Sequence, residues 1–169
     1  MKIAFVALLF AASAWAQDPA AGLPPACGSE NINFNVKLDD TQHTLVQPYP
    51  GKAMVYFIQD KGKYPPGFMG AVVTRIGLDG KWVGENKNNS YFSVSVEPGE
   101  HHLCAYVQSR LGHPLELLHF TAEAGRVYYF DVRAVSSDYG QYLFFSSVDS
   151  DQGKYLIASF PLSVSTPKK

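Results

Sequence analysis

Between Ala53 and Val148, apolar side chains either alternate with polar ones or form short unbroken runs, and turn-forming residues interrupt them repeatedly. That spacing predicts β-strands, because alternate residues of a strand point to opposite faces. In Ala53–Gln59 the run Met54-Val55-Tyr56-Phe57-Ile58 is almost wholly apolar, as a strand covered on both faces is. Tyr91–Val96 alternates instead, placing Phe92, Val94 and Val96 on a core face and Tyr91, Ser93 and Ser95 on a face expected to meet water. Along His101–Gln108, Leu103, Ala105 and Val107 point one way and Cys104 and Tyr106 the other. Asp79-Gly80, between Ala71–Leu78 and Lys81–Gly84, suits a type I′ hairpin turn, since both central residues take positive φ at low cost.

Further strands are expected at Asn33–Leu38 and Gln141–Val148, and Leu115–Ala122 is expected to pair with Val127–Arg133 around Gly125. Pro65-Pro66-Gly67 marks a loop between Lys61 and Gly70, and Glu97-Pro98-Gly99-Glu100 a turn. About seven to nine short strands joined mainly by tight turns predict an all-β sandwich or barrel over residues 33–164. One stretch breaks the pattern. Asp149-Ser150-Asp151-Gln152 can cap a short helix near residues 151–158, with a strand over Tyr155–Phe160, ended by Pro161, as the competing reading. Leu162–Val164 can add an edge strand, and residues 165–169 are expected to form a tail.

The amino terminus changes the picture from architecture to address. Lys2, the apolar run Ile3–Ala12 and the small residues of Ala14-Trp15-Ala16 form a secretory signal pattern, with cleavage expected between Ala16 and Gln17. The run is too short to span a bilayer, and no later segment is long and apolar enough to replace it. An uncleaved amphipathic anchor is the alternative; a lipid-modified Cys27 is discounted because it lies well past the apolar run. The chain is therefore expected to be periplasmic or secreted, with an irregular Pro-rich leader over residues 17–32. Two cysteines remain after processing, Cys27 and Cys104, and an oxidising compartment predicts a disulfide between them. Closing so long a loop stabilises a fold by about 4 kcal/mol in the chain-entropy model. Two free thiols are the other reading, with Cys104 a small buried apolar residue.

Composition supports a folded β domain: 14% of residues are aromatic, including 10 Tyr and 11 Phe, with 14 Gly and 11 Pro to supply turns. A formal charge of −1 with only 17% charged residues offers no basic field for nucleic acid or anionic membranes. Candidate chemistry is sparse. His101 and His102 are adjacent on a strand, so their side chains project to opposite faces, and only His119 could approach one of them across paired strands. His43 and His113 lie apart, and no His-Glu-x-x-His helix or supporting acidic spacing occurs, so neither metal nor cofactor is expected. There is no Gly-x-Ser-x-Gly elbow. Asp39-Asp40, Asp149, Asp151, Glu97 and Glu100 fall in turns or loops, where caps and solvated charges are commoner than general acids. Trp82, Tyr91, Tyr106, Tyr128, Tyr129, Tyr139 and Tyr142 on or beside strands read as sheet stabilisers, or as a surface that stacks on sugars or docks a protein.

Four segments in order carry a family resemblance: Ala53-Met54-Val55-Tyr56-Phe57; Leu78-Asp79-Gly80-Lys81-Trp82-Val83-Gly84; Tyr91-Phe92 with Val96-Glu97-Pro98-Gly99-Glu100-His101; and Ala124-Gly125-Arg126-Val127-Tyr128-Tyr129-Phe130. Their combination resembles the DUF2846 domain family of bacterial exported proteins, from about Lys52 to Val164. The middle portion is also similar to PEGA-like repeats. Both resemblances imply an immunoglobulin-like or transthyretin-like β-sandwich and neither implies a reaction. The resulting expectation is an exported, noncatalytic domain of the bacterial envelope or secreted fraction, a binding or structural module whose ligand the sequence does not name, an envelope protein or a glycan being the candidate partners. The alternatives are a carbohydrate-binding module, or a hydrolase or metal-dependent enzyme built in the loops.

Overall fold

A computed structural model describes residues 22–29, 32–43, 45–60, 73–107, 113–137 and 140–168. Among them are ten strands and one helix: β1 (Phe34–Asp39), β2 (Ala53–Gln59), β3 (Val73–Leu78), β4 (Lys81–Lys87), β5 (Ser90–Val96), β6 (Gly99–Tyr106), β7 (Leu115–Ala122), β8 (Val127–Ser137), β9 (Gly140–Val148), α1 (Ser150–Ser159) and β10 (Leu162–Pro167). The signal segment with Ala16 and Gln17, and the loop expected between Lys61 and Gly70, lie outside the described residues.

The strands form two sheets, six-stranded β1-β10-β5-β2-β8-β9 and four-stranded β4-β3-β6-β7, which face each other as a sandwich. Period-two burial builds the layer between them. Ala53, Val55 and Phe57 of β2 and Phe130 and Val132 of β8 meet Ile76 of β3 and Leu103 and Ala105 of β6, all nearly or wholly inaccessible to solvent. The opposite face of β2 is also covered, since Met54, Tyr56 and Ile58 pack with Tyr91, Tyr129 and the helix residues Leu156 and Ile157. The unbroken apolar run thus corresponds to a strand buried on both sides.

Asp149 caps α1, its Oδ1 accepting the backbone N–H groups of Asp151 and Gln152 at 2.9 Å. The helix comes so close to the sheet that a Cβ on Gly153 would run into the Tyr129 ring. The cover on this face of the six-stranded sheet corrects one expectation. Tyr91 does not meet water but is 2% exposed, with its hydroxyl donating to the Gln42 carbonyl.

The expected pairing of Leu115–Ala122 with Val127–Arg133 does not occur. β7 joins β6 in the four-stranded sheet, while β8 lies between β2 and β9 in the other, so the turn around Gly125 carries the chain across the sandwich. Alternation reports which side chains face the core, and that parity is satisfied whichever sheet a strand enters. β10 likewise extends to Pro167, into the expected tail, and lies between β1 and β5 instead of at an edge.

A third apolar cluster lies on the outer face of the four-stranded sheet, where Cys27 of the leader packs with Phe34, Trp82 and Cys104. Cys27 and Cys104 form a disulfide with Cα atoms 5.2 Å apart. The leader crosses the sheet at Gly77, where a Cβ would stand 3.0 Å from the Ala26 carbonyl oxygen and the Cys27 Cα. Trp82 Nε1 donates to the Ser29 carbonyl at 2.6 Å, fixing the same segment.

Candidate functional site

β1 with Asn33 before it, the outer face of the four-stranded sheet and the end of β10 border a cleft of about 330 Å³, whose lining includes Asn33, Asn35, Arg75, Glu85, Lys87, Tyr106 and Lys168. Its volume falls within the range of small-molecule sites, about 300–1,000 Å³. At its floor Arg75 Nε donates to Glu85 Oε1 at 2.7 Å, the two side chains being 8% and 7% exposed. Arg75 Nη2 donates to Asn33 Oδ1 at 3.1 Å, and its guanidinium lies over the Trp82 ring, 5.2 Å from the centroid. The cation is thus held in one plane by an ion pair, an amide and an aromatic face.

Sequence reasoning missed Arg75 and Glu85, for a structural reason. Counting back from the Asp79-Gly80 turn places Arg75 opposite Gly84. A register shift opposite Ile76/Gly77 leaves Val83 as an extra residue of β4, and Arg75 pairs with Glu85 instead. The bulge also turns Gly84 to the core, where a Cβ would meet the Phe92 ring at 3.0 Å. Two opposite charges flanking a hairpin, Arg75 and Glu85, were the available signal; the bulge was not visible.

The five histidines do not converge on one site, although His102 and His119 meet across paired strands as expected. His101 Nδ1 lies 2.6 Å from Asp79 Oδ2 and its Nε2 2.8 Å from the Glu97 carbonyl oxygen. Both partners only accept, so the arrangement favours the charged form, in which both ring nitrogens donate. Burial opposes that charge, but the Glu97 carbonyl and the Asp79 carboxylate outweigh it and His101 titrates above its ordinary value. Burial also works against the Asp79 charge. The His102 N–H, on Asp79 Oδ1 at 2.8 Å, and His101 prevail, holding this carboxyl below its usual range. Both Asp79 and Gly80 have positive φ, as the type I′ turn requires, and the Asp79 side chain ties that turn to β6.

His102 faces His119 across β6 and β7 on the outer surface, ring centroids 6.4 Å apart, with Glu100 Oε1 3.6 Å from His102 Nε2. His113 stacks on Tyr106 and His43 bonds the Asp40 and Phe160 carbonyls. Among the described residues no group of three His, Cys, Asp or Glu side chains could hold a metal ion. Asp39 accepts from Thr41 and Gln42 and Asp149 caps α1, so these carboxylates act as turn and helix caps. Glu97 pairs with Lys52 at the surface.

One buried carboxylate is unusual. Asp131, 3% exposed on the outer face of β8, receives Arg133 Nε on Oδ2 at 2.6 Å, while Oδ1 has no hydrogen-bond partner among the described residues. Burial raises its pKa against the pull of Arg133. Two further cavities, of about 370 and 260 Å³, lie beside β10 and beside α1. Ser163 and Ser165 in the first already donate their hydroxyls to the Glu85 carbonyl. Of these three, the Arg75 cleft combines a buried charge with polar walls.

These features define a disulfide-stapled β-sandwich domain with a polar cleft on the outside of its smaller sheet. The family described as a protein of unknown function, DUF2846, matches residues 49–142, and the chain belongs to that family. The match starts close to the expected Lys52 and ends before Val164, so α1, β10 and Cys27 lie outside it while Arg75, Glu85, His101 and Cys104 lie within. No curated protein and no solved structure matches the chain. Among the described residues no helix is long and apolar enough to cross a membrane.

Proposed function

We propose that this is an exported, noncatalytic domain of the bacterial envelope or secreted fraction that binds its ligand in the Arg75 cleft. The observation carrying this reading is the Arg75 guanidinium itself, nearly buried yet lining an open cavity and fixed there by Glu85, Asn33 and Trp82. Locking side chains before the ligand arrives reduces the ordering cost of binding. Export draws support from the signal pattern ending at Ala16 and from the Cys27–Cys104 bridge, which belongs in an oxidising compartment. The noncatalytic reading draws support from His101, whose two nitrogens are both occupied in holding a turn and a strand end.

The test is an amide NMR titration of the oxidised protein with soluble envelope glycans and peptides. Saturable shifts at Asn33, Asn35, Arg75 and Lys87 are expected. Shifts confined to α1 or β9, or catalytic turnover of an added substrate, would contradict the reading.

A further inference from the structure

The cleft has a chemistry that narrows its ligand, and this inference rests on the binding reading above. Three cationic side chains, Arg75, Lys87 and Lys168, and a single carboxylate, Glu85, are among its lining. Glu85 is already committed, its Oε1 to Arg75 Nε and its backbone N–H and carbonyl to Ser165 and Ser163 of β10. Arg75 spends Nε on Glu85 and one Nη2 hydrogen on Asn33, and no other group among the described residues takes its remaining N–H donors. Those donors point from a floor that is otherwise packed, since Trp82 covers one face of the guanidinium. Lys87 and Lys168 have no ion-pair partner among the described residues. Asn33 and Asn35 add exposed amides at the same wall, and Tyr106 adds an aromatic edge.

We infer that the cleft binds an oxyanion-bearing ligand, a carboxylate or phosphate group seated on the free Nη donors of Arg75 and flanked by the Lys87 and Lys168 ammonium groups. An Arg fork backed by two point charges recognises oxyanions through charge-assisted hydrogen bonds. Glu85 serves as a positioning residue, keeping the fork in its plane while the lysines supply the net positive field that a lone Arg–Glu pair lacks. Attraction of this kind weakens as salt rises, because Lys168 is exposed and Lys87 only half-buried.

The experiment titrates the oxidised protein, followed by amide shifts, with trigalacturonate, with inorganic phosphate, with the methyl ester of trigalacturonate and with neutral maltotriose. Either anionic probe is expected to shift Asn33, Asn35, Arg75 and Lys87, and which of the two binds tighter identifies the group as carboxylate or phosphate. The ester and maltotriose are expected to leave those amides unmoved. Lys87→Ala/Lys168→Ala is expected to weaken the anionic probe at least about tenfold, with an unchanged melting temperature. Equal binding of ester and acid would overturn the oxyanion inference while leaving a binding cleft in place. Binding that is indifferent to the lysine substitutions overturns it as well, and failure of every probe to shift the cleft counts against both readings.

Discussion

His101 is the side chain whose role was least visible from its surroundings in the chain. Along the chain it is one of five histidines with no partner nearby, because Asp79 lies 22 positions away and only the fold brings the two together. Its raised pKa contributes stability that is fully present below the unfolded value and is lost as pH rises through the folded one. Asp79 behaves oppositely, contributing above its unfolded value and losing that contribution as pH falls through its lowered folded pKa. The turn lock is therefore strongest in mildly acidic solution, where the ring is charged and the carboxylate ionised. Thermal melts of the wild type should fall in midpoint as pH rises above the ordinary His value of about 6.5. His101→Gln should flatten that slope, and an unaltered slope in the variant would remove His101 from the lock.

Arg75 and Glu85 allow a second check on the same scale. Removing one member leaves a buried charge unpaired, so Glu85→Ala is expected to cost roughly 3–5 kcal/mol in urea unfolding. Arg75→Met/Glu85→Leu, which removes both charges, is expected to cost much less. A loss in the double variant as large as in the single one would mean that the pair's worth lies in packing.

Elements were legible wherever burial alternates or runs unbroken. Ala53–Gln59 and Leu115–Ala122 coincide with their expected bounds, and the Asp79-Gly80 turn has the positive φ angles its residues favour. What alternation does not encode is the identity of a strand's neighbour, and so the sheet switch after β7, the parallel pairing of β2 with β8 and the bulge in β4 emerged only from the fold. The helix at Ser150–Ser159 resolves the open choice between helix and strand there, and Asp149 supplied the signal.

Its Gly153 gives a prediction of sign. In an isolated helix Gly→Ala stabilises by nearly 1 kcal/mol. Here the new methyl meets the Tyr129 ring, so Gly153→Ala is expected to destabilise by about 1–3 kcal/mol in chemical unfolding. A stabilised variant would show that α1 does not lie as close to the sheet as described.

For the molecule as a whole, the leader is the part that alternation could not place. It reads as irregular, yet Cys27 and Gly28 are buried and the segment covers the outer face of the four-stranded sheet beside the cleft. Cys27→Ser/Cys104→Ser should lower stability by about 2–5 kcal/mol and shift Trp82 fluorescence to the red as the leader lifts from the indole. An unshifted emission would mean that the leader holds its place without the bridge.

Everything proposed for this domain depends on its being exported, processed and stapled. The direct measurement is the intact mass of the protein isolated from its native cells and alkylated without reduction. The account predicts a chain that has lost residues 1–16 and carries no alkyl group, both sulfurs being in the disulfide. A mass that retains residues 1–16, or that includes two alkyl groups, would contradict it.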